Sequence, residues 1–148
     1  MSIETLFNSL DGSPSISLSA FIFEKSVGQG TWAAVVNGSY FNGTYYGNAN
    51  ADGDNVSFYK YFIRGTYSFI VNFTKGTNFG IIDVYIGSQK IMTYDSYAAA
   101  ASYSSRAVVN NIEIPEGFLV LKFQVNGKND SSGGYYCRFC SFSFERTG

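Results

Sequence analysis

The strongest constraint in this sequence is a two-residue hydrophobic period, broken by turn residues at short, regular intervals. In residues 66–73, Tyr67, Phe69, Val71 and Phe73 fall on one side, separated by Ser68, Ile70 and Asn72. Extended backbone, whose side chains point alternately to opposite faces, gathers such a row onto one surface. Residues 118–125 repeat the pattern with Leu119, Leu121, Phe123 and Val125, and Ile16, Leu18, Ala20 and Ile22 alternate with serines. Shorter runs lie at 31–36, 39–47, 56–63, 79–86, 90–94, 107–114 and 135–144. In the last, Tyr136, Cys140, Phe142 and Phe144 are expected to share a face with Arg138. Turn chemistry separates the runs at Asn37-Gly38, Asn42-Gly43, Asp52-Gly53, Arg64-Gly65, Lys75-Gly76, Pro115-Glu116-Gly117 and Asn126-Gly127. Many short strands between such turns predict an all-β, two-sheet antiparallel β-sandwich, or jelly roll, over residues 15–148.

Residues 1–14 differ. Ile3, Leu6, Phe7 and Leu10 follow the spacing of one helix face, Ser2 caps its start, and Gly12 with Pro14 stops it. A helix this short is marginal alone, so its apolar stripe must dock on something. The reading is a short helical arm, with Ile3, Leu6, Phe7 and Leu10 as an assembly interface.

Composition removes several functions. Charged residues are 14% and the net charge is −1 with no basic run, so counterion release cannot drive nucleic-acid binding. With no histidine, Ser-His-Asp and Cys-His catalysis lack their base. Carboxylate pairs such as Asp52/Asp54 and Asp83/Asp95 come with no nucleophile or phosphate loop, and no enzyme is expected. Cys137 and Cys140 form a lone C-x-x-C within an expected strand, about 10 Å apart. That exceeds the roughly 7 Å reach of a disulfide, so both are expected as free thiols. No secretory leader is expected from the first residues, and no run of residues is long and apolar enough for a membrane span.

The middle and end of the chain carry a recognisable pattern. Gly65-Thr66-Tyr67-Ser68-Phe69, then Asn78-Phe79-Gly80-Ile81-Ile82-Asp83-Val84-Tyr85-Ile86-Gly87, and Tyr94-Asp95-Ser96-Tyr97 stand in order. Pro115-Glu116-Gly117-Phe118-Leu119-Val120-Leu121 and Val125-Asn126-Gly127-Lys128-Asn129-Asp130-Ser131-Ser132-Gly133-Gly134-Tyr135 follow. Across about residues 56–145 this resembles the galactose-binding-domain-like jelly rolls, found in modules appended to glycoside hydrolases and in phage virion proteins. Gly87 replaces that pattern's usual Asp, and Phe118 lies near its usual His. The resemblance implies the fold; the glycines, Asn129 and Ser131 read as a loop lock.

Two candidate sites remain. Trp32, Tyr40, Tyr45 and Tyr46 offer rings for a carbohydrate platform, with Tyr59 and Tyr61 nearby; because Tyr45 and Tyr46 are adjacent, one must face outward. Against this stands ordinary core packing, given 14 Phe and 12 Tyr. Asn48, Asn50, Asp52 and Asp54 place oxygens at alternate positions, as at the start of a calcium loop, although Tyr59 stands where a bidentate Glu is required. No other cofactor is expected.

The first functional reading is a non-enzymatic virion component, a phage cement, decoration or fibre protein assembled in the host cytoplasm. Its arm would bind a capsid or tail protein or sister subunits, with a homotrimer as the expected assembly. The alternative is a carbohydrate-binding module that recognises a glycan through exposed aromatics.

Overall fold

The computed structural model describes residues 15–17, 25–40 and 43–148. The arm residues Ile3, Leu6, Phe7 and Leu10 lie outside the described residues. Among these residues the regular structure is entirely strand: β1 (Ser15–Ser17), β2 (Lys25–Gln29), β3 (Trp32–Val36), β4 (Thr44–Asn48), β5 (Asn55–Phe62), β6 (Gly65–Lys75), β7 (Ile81–Ile86), β8 (Gln89–Asp95), β9 (Ser102–Ile114), β10 (Gly117–Val125) and β11 (Arg138–Arg146). No helix among them is long and apolar enough to cross a membrane.

The first sheet runs β3-β4-β11-β6-β9, with β1 also pairing β11; the second runs β2-β5-β10-β7-β8. All strand pairs are antiparallel. From β5 onward the chain crosses repeatedly between sheets, which is jelly-roll connectivity. One pole of the sandwich carries the β2–β3, β4–β5, β6–β7, β8–β9 and β10–β11 connections. The opposite pole carries the β5–β6, β7–β8 and β9–β10 turns.

The alternating rows meet between the sheets. Tyr67, Phe69, Val71 and Phe73 of β6 and Leu121, Phe123 and Val125 of β10 are buried, as the period requires. Phe123 stacks on Phe139 across the sandwich, with ring centroids 4.1 Å apart and planes 12° from parallel. Most neighbouring pairs meet edge-on or tilted, among them Phe58–Phe123, Phe62–Phe144 and Tyr46–Phe139. Offset and edge contacts are the arrangements the ring quadrupole favours.

The last strand departs from simple alternation. Phe139 pairs with Phe73, yet Ser141 pairs with Asn72, so Cys140 is the extra residue of a β-bulge. The bulge shifts the phase. Phe139, Phe142 and Phe144 face the core, whereas Arg138, Ser141 and Ser143 face away, contrary to the shared face expected for Arg138 and the two phenylalanines. Expected strand 39–47 also shortens to Thr44–Asn48, with the Asn37 N–H donating to the Gly43 carbonyl at 2.8 Å just ahead of it.

Cys137 and Cys140 are free and buried. Burial pushes the Cys137 thiol far above its ordinary value, and the nearby Asp54 carboxylate adds to the rise. Neither thiol is exposed for metal binding or exchange chemistry.

Candidate functional site

The loop pole is tied by hydrogen bonds. Asn126 donates to Asp83, and Asn129 donates to Asp95 at 2.8 Å while its own oxygen accepts from the Ser131 N–H. Ser132 donates to the Phe79 carbonyl at 2.7 Å. A side chain at Gly134 would meet Asn50 Oδ1 at 2.8 Å, and Gly127 has φ 81°, so both positions need glycine. The loop lock read from sequence is therefore present.

The four calcium candidates lie inside this knot. Asn48 Nδ2 donates to Asp54 Oδ2 and to the Tyr135 carbonyl, both at 3.0 Å, and Asn48 Oδ1 accepts from the Cys137 N–H at 2.9 Å. Asn50 Oδ1 accepts from the Tyr135 N–H, Asp52 Oδ1 from the Gly127 N–H at 2.8 Å, and Asp54 Oδ2 also from the Ala51 N–H at 3.2 Å. N–H donors thus point at the oxygens that a cation would require. Among the described residues no three His, Cys, Asp or Glu side chains converge. As arranged, Asn48, Asn50, Asp52 and Asp54 tie the β4–β5 loop to the β10–β11 loop.

Asp83 is likewise structural. It is buried on the second sheet, where Thr93 Oγ1 donates at 2.7 Å, Asn126 Nδ2 at 2.8 Å and Lys90 Nζ at 3.5 Å. Burial alone would raise its carboxyl, but those donors and the Lys90 charge outweigh it and hold the group below its ordinary 3.8. A depressed folded-state value means that ionised Asp83 stabilises the fold above the unfolded-state value. That contribution is lost as pH falls through the folded value. Asp83→Asn should cost about 1–2 kcal/mol near neutrality. It should also flatten the acid limb of stability below pH 3.8, read by urea unfolding at stepped pH.

The outer face of the first sheet has a different character. β3 and β4 are only five residues each, so their loop closes part-way up the sheet. The Tyr40 ring lies 4.5 Å from Tyr45 and 5.1 Å from Tyr103 of β9, and its hydroxyl accepts from Arg138 Nη1 at 3.2 Å. The Arg138 guanidinium carbon stands 4.7 Å from the Tyr45 ring centre, 4.8 Å from Tyr136 and 5.4 Å from Phe79. Rings hold this cation in place of a carboxylate.

Beneath them is Thr74. It follows Phe73, which pairs with Phe139 on one side and Ser105 on the other, so Thr74 lies between Arg138 and the residues 103–104 of β9. Its hydroxyl is the buried side-chain polar atom without a hydrogen-bond partner among the described residues. Such orphans are uncommon and ask for an explanation. Tyr45, Thr74, Tyr103 and Arg138 form a cup, and the Tyr40 ring fills it.

A polar row extends from the cup. Asn72 Nδ2 donates to Ser141 Oγ at 2.8 Å, Ser104 Oγ donates to Asn72 Oδ1 at 3.5 Å, and Ser68 Oγ donates to Asn110 Oδ1 at 2.8 Å. Amides and hydroxyls, flanked by the 43%-exposed Tyr103, share this side of β11, β6 and β9 with Ile70, the exposed Val108 and Arg106. Such a surface presents both donors and acceptors, and few of its groups are charged.

The sequence candidates divide between the faces. Tyr40 and Tyr45 belong to the outer cluster. Trp32 and Tyr46 do not: both are buried and stack on each other at 5.8 Å in the core, which corrects their placement in an exposed platform. Alternation required one of Tyr45 and Tyr46 to face outward, and it is Tyr45. Tyr103, Arg138, Thr74, Asn72 and Ser141 were missed. The Ser102-Tyr103-Ser104 alternation was a usable signal for the first of them.

The fold is that of the galactose-binding-domain-like jelly rolls. The sequence matches no family model and no curated protein. Among solved structures, a Paenibacillus xanthan lyase superposes with TM-score 0.75 at 23% identity; the match spans 90% of this chain but only 13% of the lyase. A CBM36-1 domain of a multidomain xylanase from the hindgut metagenome of Trinervitermes trinervoides superposes with TM-score 0.64 at 16% identity, spanning 92% of this chain and 98% of that one. A family 35 carbohydrate-binding module from Clostridium thermocellum gives TM-score 0.66 at 12% identity, spanning 91% and 98%.

Proposed function

We propose that this domain is a carbohydrate-binding module, and that the outer face of the first sheet holds the glycan. The observation that carries this reading is the exposed Tyr103, with the half-buried Tyr45 and Arg138, beside the Asn72, Ser141 and Ser104 row on one sheet face. Tyrosine rings stack on the apolar faces of pyranoses. The flanking amide and hydroxyls bond sugar hydroxyls, which are themselves donors and acceptors. Low charge keeps the desolvation cost of docking small. Two of the superposing structures are carbohydrate-binding modules, one of them a domain of a multidomain xylanase, which supports binding over catalysis.

The virion reading gains no support from the similar structures, and the arm on which it rested lies outside the described residues. The test is electrophoresis through gels containing a panel of polysaccharides, with xylan and xanthan among them. The wild-type domain should be retarded by at least one. Tyr103→Ala, at an exposed position, should weaken that retention by about tenfold or more while leaving the fold intact. Equal retention of wild type and variant would remove this face from the account.

A further inference from the structure

The pole opposite the tied loops holds a groove with a volume of about 410 Å³, lined by Arg64, Glu113, Ile114, Pro115 and Glu116. It lies between the β5–β6 and β9–β10 turns. No ring is part of that lining, but Phe118, 70% exposed, follows the lining residue Glu116 by two positions and meets Tyr61 edge-on at 5.2 Å. Phe118 and Tyr61 are directly opposite in the β10–β5 ladder, so they form one ring surface beside the groove.

The groove's polar groups are partly committed. Glu113 accepts from Thr66 Oγ1 at 2.8 Å. Tyr61 is pushed above its ordinary value by loss of solvent, and then by its hydrogen bond to Glu116 and that carboxylate's charge. Arg64 lends its carbonyl to Arg146, but its guanidinium makes no ion pair or hydrogen bond among the described residues. Each carboxylate keeps acceptor capacity, and the guanidinium keeps all its donors. A single exposed Phe would be unremarkable; an exposed ring flanking a groove with unspent donors and acceptors has the composition of a ligand site.

We infer that this groove is a second saccharide site, taking a neutral pyranoside that stacks on Phe118 and is hydrogen-bonded by Glu113, Glu116 and Arg64. Two carboxylates against one guanidinium make the lining net negative, which disfavours uronates and favours neutral sugars. The volume suits a mono- or disaccharide rather than a long chain. The inference rests on the glycan-binding reading above, and adds a separate location. Thr66 and Thr74 mark the two ends of β6, so groove and cup are about 26 Å apart at ~3.3 Å per residue. Two sites at opposite poles would make the domain bivalent, able to bridge strands of one polysaccharide and gain avidity without new contacts.

The experiment is amide-resolved NMR titration with xylo-, manno-, cello- and galacto-oligosaccharides, applied one at a time to the wild type, Phe118→Ala, Arg64→Ala and Tyr103→Ala. Two sets of amides should move, one around Asn72, Ser104 and Ser141, the other around Arg64, Glu113, Glu116 and Gly117. Phe118→Ala and Arg64→Ala should weaken the second set's response about tenfold and leave the first unchanged. Tyr103→Ala should do the reverse. If only the first set moves with every sugar, the groove site is overturned and the sheet-face reading stands. If only the second moves, the groove stands and the sheet face falls; if neither moves, both are overturned.

Discussion

Phe139→Ala is expected to lower the unfolding free energy by about 3–5 kcal/mol, the range for removing a fully buried aromatic ring. The side chain is completely buried. It stacks on Phe123 of the other sheet at 4.1 Å and meets Tyr46, Phe58, Phe73 and Phe142 at 5.9–6.5 Å. Because β-bulge geometry fixes the Phe139 backbone, the surrounding rings have little room to collapse into the void. Urea unfolding gives the value directly. Phe118→Ala, at a 70%-exposed ring, is the control and should change stability by no more than about 0.5 kcal/mol. A loss below about 1 kcal/mol for Phe139→Ala would mean that this ring is not central to the core.

Asn48→Ala is expected to cost about 2–4 kcal/mol although it removes only a small amide. The amide satisfies three partners at once: the Asp54 carboxylate, the Tyr135 carbonyl and the Cys137 N–H. Asp54 is 1% exposed, so deleting Asn48 leaves a buried charge with fewer donors, which costs more than a neutral hydrogen bond. The pair acts as a unit, and Asn48→Ala combined with Asp54→Asn should cost clearly less than the sum of the two single changes. Strict additivity in urea unfolding would contradict the knot. Hydrogen exchange at the Cys137 amide should also accelerate in Asn48→Ala, since that N–H loses its acceptor.

Much of the fold was readable from the residues. The β6 and β10 rows needed nothing but the two-residue period, and Asn129 with Ser131 announced their own turn. What escaped were phase and direction. Nothing local marks Cys140 as an extra residue, and the single-residue slip it introduces turned Arg138 from an expected core neighbour into the centre of a ring cluster. Strand β2 lacks alternation and is held by its pairing with β5, a tertiary contact. The candidate site was half legible for the same reason. Adjacent tyrosines must point opposite ways, but only the sheet decides that Tyr46 goes in and Tyr45 out. The cup draws on the β3–β4 loop and on strands β4, β6, β9 and β11, residues far apart in the chain, so no sequence window contains it. The Asx-rich loop shows the converse. Its letters suit a cation, but the backbone N–H groups that converge on them come from the β10–β11 loop and are invisible locally.

The central claim is that an uncharged glycan lies across β11, β6 and β9, against Tyr103 and the Asn72–Ser141 pair. A crystal structure of the domain saturated with a fragment of whichever polysaccharide retards it tests this most directly. A pyranose ring is expected over Tyr103 with its hydroxyls bonded to Asn72, Ser104 or Ser141. Sugar seated instead among the loops of residues 48–54 and 126–136, with this face bare, would contradict it.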